Sequence, residues 1–284
     1  MSGIIDFRLR PPLGGFLTTI MFREKERTMR RIRQLSLEPP PSLLELSVEK
    51  LFREMDDAGV AMGVVTGRNT GSRFGTVTNE EVAAIAARNP GRFVACGGVN
   101  PVDTAAALRE VDRIAGEWRM PAISMEPGFA PEPMRANDRR LYPIYERCAE
   151  RGLAVILTLS LMTGPDVSYC LPVDVDQVAH DFPALPLVIA HACWPWVQPI
   201  LGVAFRRTNV YLSPDIYAIN LPGRDDFALA ARTYLQDRFL FGSGYPFAPV
   251  GGAVEAYRAL GFSGEVADKI FRRNAVGLLR LGDA

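Results

Sequence analysis

No stretch of this 284-residue sequence stays apolar for long enough to cross a membrane, which takes about 20 consecutive residues. Charge of one sign is also missing, because 32 Lys and Arg balance 32 Asp and Glu. A nucleic-acid binder would carry a basic excess or stripe, so neither a membrane nor a nucleic acid is expected as a partner. Cysteine is scarce: Cys96, Cys148, Cys170 and Cys193 stand apart, without paired or metal-type spacing, which argues against a disulfide framework or a thiolate-held metal. The opening Met1-Ser2-Gly3-Ile4-Ile5-Asp6 lacks the basic and apolar regions of a secretory leader. A reduced, cytoplasmic protein is expected. Two further signatures are absent. Gly14-Gly15 and Gly97-Gly98 lack the spacing and the following Lys-Ser/Thr of a phosphate-cradling loop, and nothing like a nucleophile elbow surrounds Ser160.

What the sequence does contain is a rhythm. Short β-rich apolar runs fall at Ile4–Phe7, Gly63–Thr66, Phe93–Cys96, Ala122–Met125, Ala154–Thr158, Leu187–Ala190, Val210–Ser213 and Phe239–Phe241. Such runs suit strands buried on both faces of a parallel sheet. Amphipathic stretches separate them: Ser47–Ala58, Asn79–Arg88 with Asn79 as its cap, Thr104–Trp118, Arg140–Arg151, Val173–His180, Trp196–Arg206, Asp225–Tyr234 and Val254–Leu260. Eight alternations in one chain predict an α/β fold, a (β/α)8 or TIM barrel, over an open doubly wound sheet. No linker or low-complexity stretch divides the chain, so one domain over 1–284 is expected, closed by a helix over 264–281. The segment 11–41, holding Arg23, Lys25, Arg27, Arg30, Arg31 and Arg33, breaks the rhythm as an extended first β-to-α loop. It reads as a solvated loop with a short helix; a lid or an assembly contact is the sharper alternative, since these loops lie at the catalytic face of such barrels.

Chemistry-bearing residues collect at the C-terminal ends of the runs. Arg8 and Arg10 lie two apart, so on a strand they share a face, and Arg68 ends the second run. Planar guanidinium groups pair bidentately with carboxylate or phosphate; an anion-binding role and an internal ion-pair network both fit these arginines. Glu126 and Asp215 follow the fourth and seventh runs, each readable as a general base or as an arginine's partner. His191 ends the sixth run and is the candidate for acid–base work, its ordinary pKa lying near neutrality. His180 reads as a helix-end residue. Trp194 and Trp196 read either as walls for an apolar substrate or as core packing.

Four segments carry a family resemblance: Ile4-Ile5-Asp6-Phe7-Arg8-Leu9-Arg10, Leu187 to Trp196 around His191, Asn209-Val210-Tyr211-Leu212-Ser213, and Arg238-Phe239-Leu240-Phe241-Gly242-Ser243-Gly244-Tyr245-Pro246. With Asn274-Ala275 near the end, the sequence resembles the amidohydrolase-related family of metal-dependent hydrolases and decarboxylases nearly end to end. That resemblance implies a small carboxylate or other anion as substrate. It also marks departures. The family's two first-strand histidines fall on Arg8 and Arg10, its fifth-strand histidine on Thr158, and its eighth-strand aspartate on Gly244. Arginine offers no lone pair to a metal, and a divalent ion needs three or four converging donors. The expectation is therefore no cofactor; the alternative is one divalent metal such as zinc on His191, Glu126 and Asp215. The resemblance then implies a hydrolase or lyase with His191, Glu126 and Asp215 catalytic and Arg8, Arg10, Arg68, Trp194 and Tyr245 binding substrate. The alternative is a non-catalytic subunit beside a metal-bearing paralogous barrel, and a homo- or hetero-oligomer is expected.

Overall fold

Seven of the eight apolar runs become parallel strands in the computed structural model, which describes residues 3–69 and 74–282. Met1 and Ser2, the first residues of the opening segment, lie outside the described residues, as do 70–73 and 283–284. The strands are β1 (Ile4–Asp6), β2 (Val60–Thr66), β3 (Phe93–Gly98), β4 (Ala122–Met125), β5 (Ala154–Ser160), β6 (Leu187–Trp194) and β7 (Val210–Ser213). They pair in chain order within one sheet. Each connection carries at least one helix, as parallel pairing requires.

The eighth strand needs correction. Among the described residues, 239–241 form no regular strand. Leu240 N donates to Leu212 O of β7, and Phe7 N donates to Phe241 O, each at 2.9 Å. Phe241 N instead turns away to Ile270 O at 3.1 Å, and Gly244 then adopts a φ of +68°. An irregular segment therefore bridges the two ends of a curled seven-stranded sheet.

Helix limits follow local chemistry. Ser47 accepts a hydrogen bond from Lys50 N at 3.2 Å and caps Val48–Ala58, which Gly59 ends at a φ of +75°. The cap of Asn79–Arg88 is Thr78 and not Asn79: Thr78 and Glu81 form a reciprocal capping box. Asn79 is buried and bonds both the N–H and the carbonyl of Gly98. The closing helix is not continuous. Gly264–Asp268 and Asn274–Leu279 flank one π turn, Lys269–Arg273.

The period of two along a strand divides the sheet into faces. Ala154 and Ile156 of β5 join Val64, Cys96, Ala122, Val188 and Ala190 in a cluster with Ala275 and Leu279 of the closing helix. Thr158 and Ser160 continue the same face of β5 and are polar. One end of the sheet is thus plugged with small apolar side chains, and the other carries the hydroxyls.

The segment 11–41 is not a solvated loop. It folds into Ile20–Arg23, Lys25–Gln34 and, beginning at its last residue, Pro41–Glu45. Met29 and Ile32 of the Lys25–Gln34 helix are buried, and Asn220 Nδ2 bonds Leu35 O at 2.8 Å. The helix is held against the polar end of the sheet, with Arg27, Thr28 and Arg31 facing a cavity there.

Candidate active site

That cavity has a volume of about 100 Å3. Its lining includes Arg10, Arg68, Glu126, Thr158, Ser160 and His191, which the sequence places on five separate segments, Thr158 and Ser160 sharing β5. Parallel strands bring their C-terminal ends to one side, so residues far apart in the chain converge.

His191 reaches the cavity through a distortion of β6. Thr158 pairs with Ala190 and Ser160 with Trp194, so two residues of β5 answer four of β6. The extra residues are taken up at His191, Ala192 and Cys193, with φ values of +69°, +45° and +53°. Non-glycine residues avoid this region at a cost of about 1–3 kcal/mol each, and such strain concentrates at functional sites. Its effect here is to break the alternation that would leave His191 facing away from Val188 and Ala190.

Asp215 completes a pair with that ring. His191 Nδ1 lies 2.9 Å from Asp215 Oδ1 and 2.7 Å from Oδ2, while Ile216 N donates to Oδ1 at 2.6 Å. Asp215 is wholly buried and itself sits at a φ of +43°. With Nδ1 engaged, Nε2 is the ring atom left for a ligand. Burial pushes the His191 pKa below its ordinary value, against the upward pull of Asp215. The ring also meets Tyr217 edge-on, with centroids 5.4 Å apart.

The arginines divide. β1 ends at Asp6, whose Oδ1 accepts from Arg8 N at 3.0 Å and Ser243 N at 2.8 Å, so Arg8 and Arg10 follow the strand. Arg8, 2% exposed, donates through Nη2 to Thr158 Oγ1 at 2.7 Å and stands 3.9 Å from Glu126. Among the described residues its Nε and Nη1 have no hydrogen-bond partner, and burial lowers its pKa. Arg10 lines the cavity and bonds Tyr245 O at 3.4 Å. Burial, then Arg8, pulls its pKa down to about 9, which leaves it charged at neutral pH. Arg68 Nε stands 2.8 Å from Glu126 Oε2, out of hydrogen-bond alignment, and its guanidinium lies over Phe74 and Phe129 at 5.4 and 5.7 Å.

Two expected substrate residues lie outside the lining. Trp194 stacks on Tyr217 at 5.1 Å and bonds Pro222 O, so Tyr217 stands between it and the cavity. Tyr245 is buried with its hydroxyl on Ser42 Oγ at 2.8 Å. Gly244, in the motif's aspartate position, has no room for a side chain: a Cβ there would lie 2.7 Å from Ile216 Cγ2 and 3.3 Å from Asp215 Oδ1. Sequence reasoning missed Tyr217, Arg27 and Arg31 as cavity residues. The Arg27–Arg31 spacing of four, one face of a helix, was the only available signal.

The family described as Amidohydrolase matches residues 5–281. An uncharacterized TIM-barrel protein from Bordetella bronchiseptica is 42% identical over 98% of both chains, with a TM-score of 0.94. A dihydroxybenzoic acid decarboxylase from Polaromonas sp. JS666, crystallised with manganese and the inhibitor 2-nitroresorcinol, is 17% identical with a TM-score of 0.71. That likeness covers 100% of this chain and 98% of the other and is one of fold. The 2-amino-3-carboxymuconate-6-semialdehyde decarboxylase of Dictyostelium discoideum is 30% identical over 96 residues, 33% of this chain. The match spans only 26% of that relative's length.

The expectation of no cofactor is corrected by the Polaromonas enzyme, in which the same fold holds manganese. The alternative of one ion on His191, Glu126 and Asp215 also changes. Among the described residues no three His, Cys, Asp or Glu side chains come together as a metal needs. His191 Nδ1 is committed to Asp215, Glu126 faces Arg68 and Arg8, and Arg10 adds a further fixed cation. This donor set does not fit a divalent ion, and no step below is routed through one.

Proposed function

The chain belongs to the amidohydrolase family, and within it we propose that it is a lyase removing CO2 from a small conjugated carboxylate, with His191 as the proton donor. The observation that carries this reading is the His191–Asp215 pair opening on a cavity where Arg10, Arg27, Arg31 and Arg68 face the single carboxylate of Glu126. An excess of fixed cations in a partly enclosed space selects an anion. The decarboxylases of Polaromonas and Dictyostelium lend the reaction class. A silent subunit, the alternative, would gain nothing from the backbone strain that aims His191 into the cavity.

Arg10 and Arg68 bind an oxygen substituent conjugated with the carbon that bears the carboxylate. When the carbon–carbon bond breaks, CO2 leaves neutral and its electron pair stays on that carbon. The charge spreads to the bound oxygen, where preorganised guanidinium groups stabilise it. The negative charge of the bound ligand and of Asp215 offsets the burial that disfavours the His191 imidazolium, and a proton from Nε2 of that imidazolium completes the C–H bond. Asp215 fixes the ring through Nδ1 and stabilises the imidazolium before transfer, and solvent reprotonates the ring. Thr158 holds Arg8 behind the site. Glu126 orients Arg68 and offsets part of the positive field, so the cavity does not hold its ligand's anionic ground state too tightly.

The test is CO2 release by the purified full chain on a panel of hydroxybenzoates and unsaturated acids, with and without added manganese. Turnover lost in His191→Gln, with folding retained, is expected. No CO2 release from any panel member under either condition would overturn the reading.

A further inference from the structure

Among the described residues, two of the four arginines at the cavity are left without an acidic partner, and they stand on different walls. Arg10 follows β1 at the base and has no carboxylate within ion-pair distance among the described residues. Arg31 projects from the Lys25–Gln34 helix that covers the cavity. Its contacts are the Phe247 ring at 5.6 Å and Met162 Sδ at 3.7 Å. Arg27, one turn before it on the same face, also lines the cavity and pairs only with exposed Glu24 at 3.0 Å. The charges beside Arg10 are Arg8, Asp215, Glu126 and Arg68, whereas the charge beside Arg31 is Arg27.

Glu126 neutralises at the base; at the lid Arg27 has the exposed Glu24, and Arg31 has no carboxylate partner among the described residues. Arg31 is half-buried and Arg27 exposed; like-charged side chains one turn apart repel each other, and a half-buried cation without a counter-charge is costly to desolvate. A ligand group that brings the missing negative charge relieves both. Between the two groups the walls are apolar or aromatic: Phe74, Phe129, Ile216 and Tyr217.

We propose that Arg31, with Arg27, forms a second anion subsite opposite Arg10 and Arg68, so that the ligand is a dianion: a flat conjugated body with one acidic group at the base and another under the Lys25–Gln34 helix. This rests on the reading of the cavity as a carboxylate site and narrows its substrate class. The helix is thereby a selectivity element, contributed by the segment that departs from the strand–helix rhythm.

The test is calorimetric binding of benzene-1,3-dicarboxylate, benzene-1,4-dicarboxylate and benzoate to the full chain and to Arg31→Gln. A charge-assisted hydrogen bond is worth enough for about a tenfold change in affinity. The parent is expected to favour one dicarboxylate over benzoate by at least that factor, and Arg31→Gln is expected to erase the preference. Arg27→Gln should reduce it in the same direction, and the preference should fall with added salt. A parent that binds benzoate as tightly as both dicarboxylates overturns the subsite. So does an Arg31→Gln protein that keeps the preference. Each leaves the decarboxylase reading to CO2 release alone. Conversely, a preference erased by Arg31→Gln supports the subsite even if no panel acid releases CO2.

Discussion

Replacing Glu126 with Gln removes one negative charge and almost no volume, and the structure sets the size of the effect. Glu126 is 7% exposed, 2.8 Å from Arg68 Nε and 3.9 Å from Arg8 Nη2. Without it Arg8, Arg10 and Arg68 share a buried region in which Asp215 is already committed to His191. Breaking a buried ion pair costs about 3–5 kcal/mol, because the surviving charge stays desolvated. Unfolding entropy of about 2.1 cal/mol/K per residue gives roughly 0.6 kcal/mol/K for a chain of this size. Glu126→Gln should therefore lower Tm by about 5–8 °C, read by calorimetry at one scan rate. The distinguishing result is rescue. A ligand at about 100 times its Kd stabilises by roughly 2.7 kcal/mol, and a small carboxylate such as benzoate can stand in for the lost charge. At one fixed benzoate concentration the variant should recover more degrees than the parent gains. A variant melting within about 1 °C of the parent, or one that gains no more than the parent from benzoate, would refute the reasoning that Glu126 balances this cluster.

Asp215→Asn removes the group that lifts the His191 pKa against burial; that pKa should fall further, and the alkaline limb of the rate–pH profile, set by loss of the donor's proton, should move to lower pH. With His180 the sole other histidine, an NMR titration reads the same shift directly. His191 also contributes to pH-dependent stability: its folded pKa lies below the unfolded value near 6.5, so the unfolded chain binds the proton first. Stability present above about pH 6.5 should decline as pH falls through that window, and His191→Gln should flatten the decline in denaturant titrations. Gly244→Ala places a Cβ 2.7 Å from Ile216 Cγ2 at a φ of +68°; a loss of about 1–3 kcal/mol is expected, with the His191–Asp215 pair disturbed because Ile216 adjoins Asp215.

Local sequence determined most of the elements. Strands such as β4 and β7 are short apolar runs whose limits the structure reproduces, because a strand buried on both faces needs nothing beyond its own composition to be seen. Ser47, Gly59 and the amphipathic Val48–Ala58 likewise act within a few residues of each other. The convergence of Arg10, Arg68, Glu126 and His191 was legible for the same reason: parallel strands place their C-terminal ends together, and each residue ends or closely follows a run. Pairing and contact decided the rest. Phe239–Phe241 carries the composition of a strand, yet its ladder is broken when Phe241 N bonds Ile270 O, a partner 29 residues away that no local window contains. Arg8 and Arg10 lie past the last residue of β1, where Asp6 accepts from both Arg8 N and Ser243 N, so their placement rests on these longer-range contacts and not on a strand's period of two. His191 faces the cavity because of a two-residue excess in β6 against β5, which is a property of the pair and of neither strand. Arg27 and Arg31 look like solvated charges in a linear reading. They become cavity walls only once buried Met29 and Ile32 dock their helix over the sheet, since the distance between a lid and a strand end is set by packing and is nowhere encoded in the spacing of the chain.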